Sequence, residues 1–174
     1  MAKGSRGGKR ASGGTWTLYH GSPEVNITQF DETLMGRNTS SGEHFIFFTD
    51  DKAFADEFSY ERLPGNSMFY NKRGNKGVVY SSEVSMKKPL DFRNLSDKDM
   101  DNLIKLDIIG DLTKDKIKYL LSGGEHQSLK ARINLNNIKS YGYDGFIAKV
   151  DIKGKALEYA VVSSKQIKNI KKVR

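Results

Sequence analysis

Apolar residues fall in two registers along this chain: short alternating or continuous runs near both ends, and a recurrence every three to four positions in the middle. Residues 16–20 form the first predicted strand, followed by Pro23 and a connection through Ile27 and Phe30. The run His44-Phe45-Ile46-Phe47-Phe48 is aromatic and β-branched enough for a buried strand. Before it, the polar stretch 37–42 reads as a mobile loop. After it, Thr49 or Asp50 can accept hydrogen bonds from a helix start, which predicts a short helix over 51–59 with Phe54 and Phe58 on one face. A second polar loop spans 61–76, with Pro64, Gly65 and Gly74 in it, and leads into a strand at 78–84.

The middle reads as helical. Met100, Leu103, Ile104 and Ile108 recur at helical spacing, and Ile117, Leu120 and Leu121 repeat the pattern after Thr113, a good N-cap. A third helix is predicted through Leu129 and Ile133 toward Ile138. Tyr141-Gly142-Tyr143-Asp144-Gly145 then marks a turn into a strand at 146–150, and Lys153-Gly154-Lys155 turns the chain back through Glu158 as a hairpin. There is no internal repeat, and the elements do not alternate regularly enough for a doubly wound sheet. Strands toward both ends with helices between them predict an α+β fold.

Chemistry enters with Glu158, in the run Leu157-Glu158-Tyr159-Ala160-Val161-Val162. Period two puts Leu157, Tyr159 and Val161 on one face and Glu158 with Ala160 and Val162 on the other, so a carboxylate stands among apolar neighbours. An edge strand can carry such a charge without function. A second polar signature, Tyr19-His20-Gly21-Ser22, follows another apolar run, and two such signatures on two strands suggest a site. Read separately, His20 also fits a satisfied core histidine, Gly21-Ser22-Pro23 an ordinary turn, and Phe47, Phe54 and Phe58 a core stripe.

Composition narrows the classes. At 174 residues and 37% hydrophobic content, the chain suits one domain with a modest core. It has no cysteine, which removes disulfides and thiolate chemistry. The three histidines, His20, His44 and His126, have no metal-ligand spacing, so no metal is expected. No run approaches a membrane span and the start lacks the apolar segment of a signal peptide, so no membrane partner and a cytoplasmic site of action are expected. The net charge of +8 belongs to the ends: Lys3, Arg6, Lys9 and Arg10 before residue 15, and Lys165, Lys168, Lys171, Lys172 and Arg174 after residue 162, with no acid in either segment. The body carries 20 basic residues against 21 acidic ones. Residues 1–14, rich in Gly, Ser and Arg, are expected to form a flexible tail or an arm that meets nucleic acid, with a single domain over 15–174. The tail is no phosphate loop, because Lys3 stands where a pattern ending at Lys9 needs its first glycine.

In their order, His20-Gly21-Ser22, the segment from Phe47-Phe48-Thr49 through Phe54 to Phe58, and Glu158-Tyr159 resemble the ADP-ribosyltransferases of the diphtheria-toxin and poly(ADP-ribose) polymerase type. The resemblance runs from about Thr15 to Val173. The turn Tyr143-Asp144-Gly145-Phe146-Ile147 is similar to the small bacterial and phage-borne members. It implies a split β-sheet, two small antiparallel sheets around an NAD⁺ cleft with peripheral helices. It also implies Glu158 and His20 as catalytic residues, with NAD⁺ contacts from His20, Gly21, Ser22, Phe47, Phe48, Thr49 and Phe58. Two cleft tyrosines of the family, eleven residues apart, correspond here to Phe47 and Phe58, which keep aromatic faces and lose the hydroxyls; Tyr60 substitutes only if the helix register differs. Members that modify arginine resemble one another in an acid two residues before the glutamate. Here that place is Ala156, so a protein or nucleic-acid acceptor other than arginine is expected, and Lys153, Lys155 and the basic C-terminal segment favour a polyanion. The resulting expectation is a monomeric mono-ADP-ribosyltransferase, a toxin or phage effector. The alternatives are an NAD glycohydrolase and a non-catalytic basic module that binds nucleic acid or a virion component.

Overall fold

In a computed structural model, which describes residues 13–35, 44–63, 70–150 and 155–173, the strand at the start of the chain organises the rest. This strand, β1 (Gly14–Ser22), pairs along its whole length with β3 (Val78–Met86), from Gly14↔Met86 to Ser22↔Val78. On its other side it meets β2 (Ile46–Thr49) at one position, Tyr19↔Thr49. That is the one ladder pair between these two strands. With β4 (Pro89–Asp91), β5 (Gly145–Lys149), β6 (Leu157–Val161) and β7 (Ile167–Lys172), they make one sheet in the order β4-β5-β6-β2-β1-β3-β7.

The sheet is therefore two halves, β4-β5-β6-β2 and β1-β3-β7, hinged at a single residue pair. This is the expected split, with two differences: the halves touch, and the short strand β4 runs parallel to β5 where antiparallel pairing was expected. The hairpin β5–β6 is present, with Lys153 and Gly154 of its turn outside the described residues. The loop 37–42 also lies outside them, as does the tail up to residue 12; Gly14 already belongs to β1.

Sequence pattern misses β7 for a specific reason. Its apolar residues, Ile167 and Ile170, are three apart, which breaks the alternation that identifies a strand. The structure inserts a bulge there: Glu83 faces Lys168 and Ser81 faces Lys171, with Asn169 at φ 54° absorbing the extra residue.

The helices α1 (Lys52–Glu57), α2 (Asp97–Leu106), α3 (Lys114–Ser122) and α4 (His126–Lys130) follow local signals more closely. Thr113 caps α3 as expected, and a reciprocal Ser96–Asp99 capping box starts α2. The cap of α1 is Asp51 rather than Thr49 or Asp50. Asp51 accepts from Phe54 N at 3.0 Å, while Asp50 is drawn away to accept from Leu157 N at 2.8 Å. Helix α2 stops at Leu106, so Ile108 is 64% exposed instead of joining the core. The third predicted helix stops at Lys130. Ile108 N then donates to Arg132 O and Asn134 N to Leu106 O, and these bonds between two segments of the chain replace helical ones before a 3₁₀ turn at Leu135–Tyr141. Gly142, at φ +83°, ends that turn in the left-handed region.

Each sheet face has its own core. Leu103, Ile117, Leu129 and Ile138 from the helical layer bury Phe146 and Ala160 on one face. Leu18, Phe30, Phe48, Val84 and Tyr159 fill the other. Among the described residues, no helix is long and apolar enough to cross a membrane.

Candidate active site

Residues opposite one another in an antiparallel ladder share a face, and this places Glu158. Tyr19 faces Thr49, Thr49 faces Glu158, and Glu158 faces Ala148, so these four form one row across β1, β2, β6 and β5. Two strand spacings separate the backbones of Tyr19 and Glu158, about 10 Å. The row crosses the sheet at the pair where the halves separate. Tyr159 and Val161 are buried on the opposite face, as the alternation predicted, and Ala160 is buried on the same face as Glu158.

Sequence reasoning missed the residue that Glu158 touches. Lys130 of α4 pairs its ammonium with Glu158 Oε1; the lysine side chain is 7% exposed and the glutamate 22%. The same ammonium lies 4.8 Å from the centre of the Phe146 ring and 3.3 Å from Gln127 Oε1. Helix α4 is fastened to the end of β5 at its other end. Lys149 N donates to His126 Nδ1 at 3.0 Å, and Gln127 Nε2 donates to Lys149 O at 2.7 Å. His126 and Lys130 are four residues apart, so one helical face carries both. That spacing is legible in a segment that the sequence predicts as helical, but it does not name Glu158 as the partner.

His20 reaches across the split. Its Nδ1 donates to the Phe47 carbonyl at 2.7 Å, and its ring packs edge-on against Phe30 at 4.9 Å and at a tilt against Phe48 at 5.6 Å. Burial pushes the His20 pKa down, outweighing the bond to Phe47, which pushes it up. A neutral ring with its proton on Nδ1 leaves Nε2 as an acceptor. By alternation from Tyr19, its side chain lies with Phe30 and Phe48 on the face opposite Glu158, so the structure does not bring these two residues to one side of the sheet.

Gly21 meets the protein itself at close range. A Cβ there would stand 1.8 Å from the Ala55 carbonyl oxygen of α1, so the glycine is required for the helix to lie on β1. Ser22 is buried, and its Oγ accepts from Glu24 N at 3.1 Å in the turn around Pro23. Thr49, also buried, accepts from Asp51 N at 3.2 Å where β2 turns into α1.

The phenylalanines divide. Phe47 faces Ala160, which sets it on the Glu158 side, with Phe45 and Phe146 each 6.1 Å away. Phe48 lies in the opposite core and does not share that side. Phe58 follows α1 at 37% exposure, between Phe54 at 5.0 Å and Tyr70 at 5.6 Å. Tyr60 is engaged elsewhere, with Lys76 5.2 Å from its ring centre.

Over residues 11–173 the chain matches the family model for the ADP-ribosyltransferase in polyvalent proteins. It belongs to that family. No curated protein and no solved structure matches it. Membership confirms the resemblance and the fold class, and brings ADP-ribosyltransferase as the class of activity with NAD⁺ as the family's substrate. Among the described residues no group of histidines and carboxylates is placed to hold a metal ion.

Proposed function

We propose that this transferase breaks the bond between nicotinamide and ribose in NAD⁺ and passes ADP-ribose to a macromolecular acceptor. The observation that carries the reading is the place of Glu158: a part-exposed carboxylate in the row that crosses the sheet where its halves separate. Nicotinamide departs with the bonding electron pair as a neutral molecule, and positive charge builds on the ribose as in glycoside cleavage. A fixed carboxylate lowers the energy of that cation without reorganising at the moment of reaction. The acceptor then donates a lone pair to the anomeric carbon and loses a proton.

The other residues fit a dinucleotide in distinct ways. His20, packed on the face opposite Glu158, serves by tying β1 to β2 at the split through its bond to the Phe47 carbonyl. Phe47 supplies an apolar wall on the Glu158 side and Phe58 an accessible aromatic face for a planar ring, both without a hydroxyl. Gly21 and Thr49 serve by holding α1 and its aromatic residues over the site.

For the acceptor we propose a protein or nucleic-acid group other than arginine, because Ala156 supplies no second acid beside Glu158 to hold a guanidinium. The exposed lysines of β7 favour a polyanionic acceptor. The setting we propose is that of a monomeric mono-ADP-ribosylating effector, toxin or phage-borne, acting in the cytoplasm of the producing or target cell.

Incubation with labelled NAD⁺ tests the reading. Nicotinamide release and transfer of label should fall on the order of 10²-fold or more in Glu158→Gln. Equal turnover in that variant sinks the assignment of Glu158, and the identity of the labelled species in a lysate decides the acceptor.

A further inference from the structure

A lysine ammonium that is almost wholly shielded from water is costly unless something compensates it, and Lys130 has three partners. They are Glu158 Oε1, Gln127 Oε1 at 3.3 Å and the face of Phe146 at 4.8 Å. The lysine is the more deeply buried member of the pair, so the carboxylate is anchored from its protein side. Among the described residues no donor hydrogen-bonds to Glu158 Oε2. One oxygen of the carboxylate is held and the other is open.

We propose that Lys130 is a positioning residue for Glu158: its buried ammonium holds the carboxylate in one orientation, with Oε1 fixed and Oε2 presented to the substrate. The inference rests on the reading of Glu158 given above. The other charged and titratable groups around this carboxylate are committed elsewhere or lie outside the pair. From α4, His126 accepts from Lys149 N, and burial holds its pKa below the ordinary value. From β5, Lys149 is exposed. At the end of β2, Asp50 accepts from Leu157 N, and from β1 Tyr19 stands beyond Thr49 in the row. Lys130 is thus the cation in direct contact with Glu158, and its loss should act on that carboxylate first.

Because the acidic group and its lysine form one unit, the consequences are specific. Lys130→Met keeps the length and apolar contacts of the side chain while removing the charge, and Lys130→Arg keeps a charge. Lys130→Arg, which keeps a cation beside Oε1, should retain most of the turnover that Lys130→Met loses. In the NAD⁺ assay, kcat should fall on the order of 10-fold or more in Lys130→Met with KM little changed, since the lysine holds a reacting group rather than the substrate. The double variant Lys130→Met/Glu158→Gln should be no slower than Glu158→Gln alone. An unchanged kcat in Lys130→Met while Glu158→Gln loses turnover, or a double variant much slower than Glu158→Gln, overturns the proposal. Absence of NAD⁺ cleavage by the wild-type chain, or full turnover in Glu158→Gln, overturns the reading of Glu158 itself, whereas turnover lost in Glu158→Gln and kept in Lys130→Met overturns this inference alone.

Discussion

At position 158, removing the charge and removing the side chain are different experiments. Glutamine still offers Lys130 an oxygen, whereas alanine leaves an ammonium that is 7% exposed without its main partner. Glu158→Ala should therefore be less stable than Glu158→Gln by about 1–3 kcal/mol, measured by urea unfolding of the two variants. Equal stability would mean that water reaches Lys130 once the glutamate is gone. The residue scale is also where the sequence was most informative about chemistry. An acid on an otherwise apolar strand face identified Glu158, and the alternation assigned its side of the sheet correctly. Lys130 could not be found in the same way, because the pairing joins residues 28 apart whose contact depends on how α4 lies across β5.

Among the elements, α1 lies closest against β1 at the site proposed above. Its packing on β1 turns on the contact between Gly21 and Ala55. On conformational grounds alone, alanine in a strand should be better than glycine by roughly 0.5–1 kcal/mol. At Gly21 the sign should reverse, because the new methyl would meet the Ala55 carbonyl oxygen at 1.8 Å and main chain must move. Gly21→Ala should cost about 1–3 kcal/mol in denaturant unfolding and disturb the aromatic residues that α1 carries. A neutral or stabilising outcome would show that the helix is free to shift. Helix starts were legible here because their signals are local: Thr113 caps α3, and the acidic cluster before α1 supplies its cap, displaced by one residue to Asp51. Helix ends were less so. The segment after α2 and the one after α4 exchange main-chain hydrogen bonds with each other, which no periodicity within either segment reveals.

Across the whole molecule, the two histidines whose pKa is depressed set the response to acid. His20 and His126 both lie below the ordinary histidine value of 6.5, chiefly because burial disfavours the charged ring. The unfolded chain therefore binds more protons than the folded one as pH falls toward and below 6.5, and stability must decline in that direction. The depressed carboxylates, among them Glu32 with its bonds to Ser163 and Ser164, lose their contribution only at lower pH, below their unfolded value of 4.5 in the case of Glu32. Melting temperatures should fall between about pH 7.5 and about pH 5.5, and the fall should be shallower in a His20→Gln/His126→Gln variant. A melting temperature flat across that interval contradicts burial of the two rings as neutral groups.

By itself the sequence determined the α+β class, the helical middle, the closing hairpin and the order of the residues that carry the family resemblance. These follow from hydrophobic period, capping and turn chemistry, all of which act over a few residues. The tertiary structure alone decided which residues meet: the single Tyr19↔Thr49 pair that joins the sheet halves, β7 with its bulge, α1 lying on Gly21, and Lys130 against Glu158. Each of these is a long-range pairing chosen by burial and main-chain hydrogen bonding over the whole chain. Local pattern could say that Glu158 faced inward among apolar groups; only packing could supply the cation that makes a charge there tolerable.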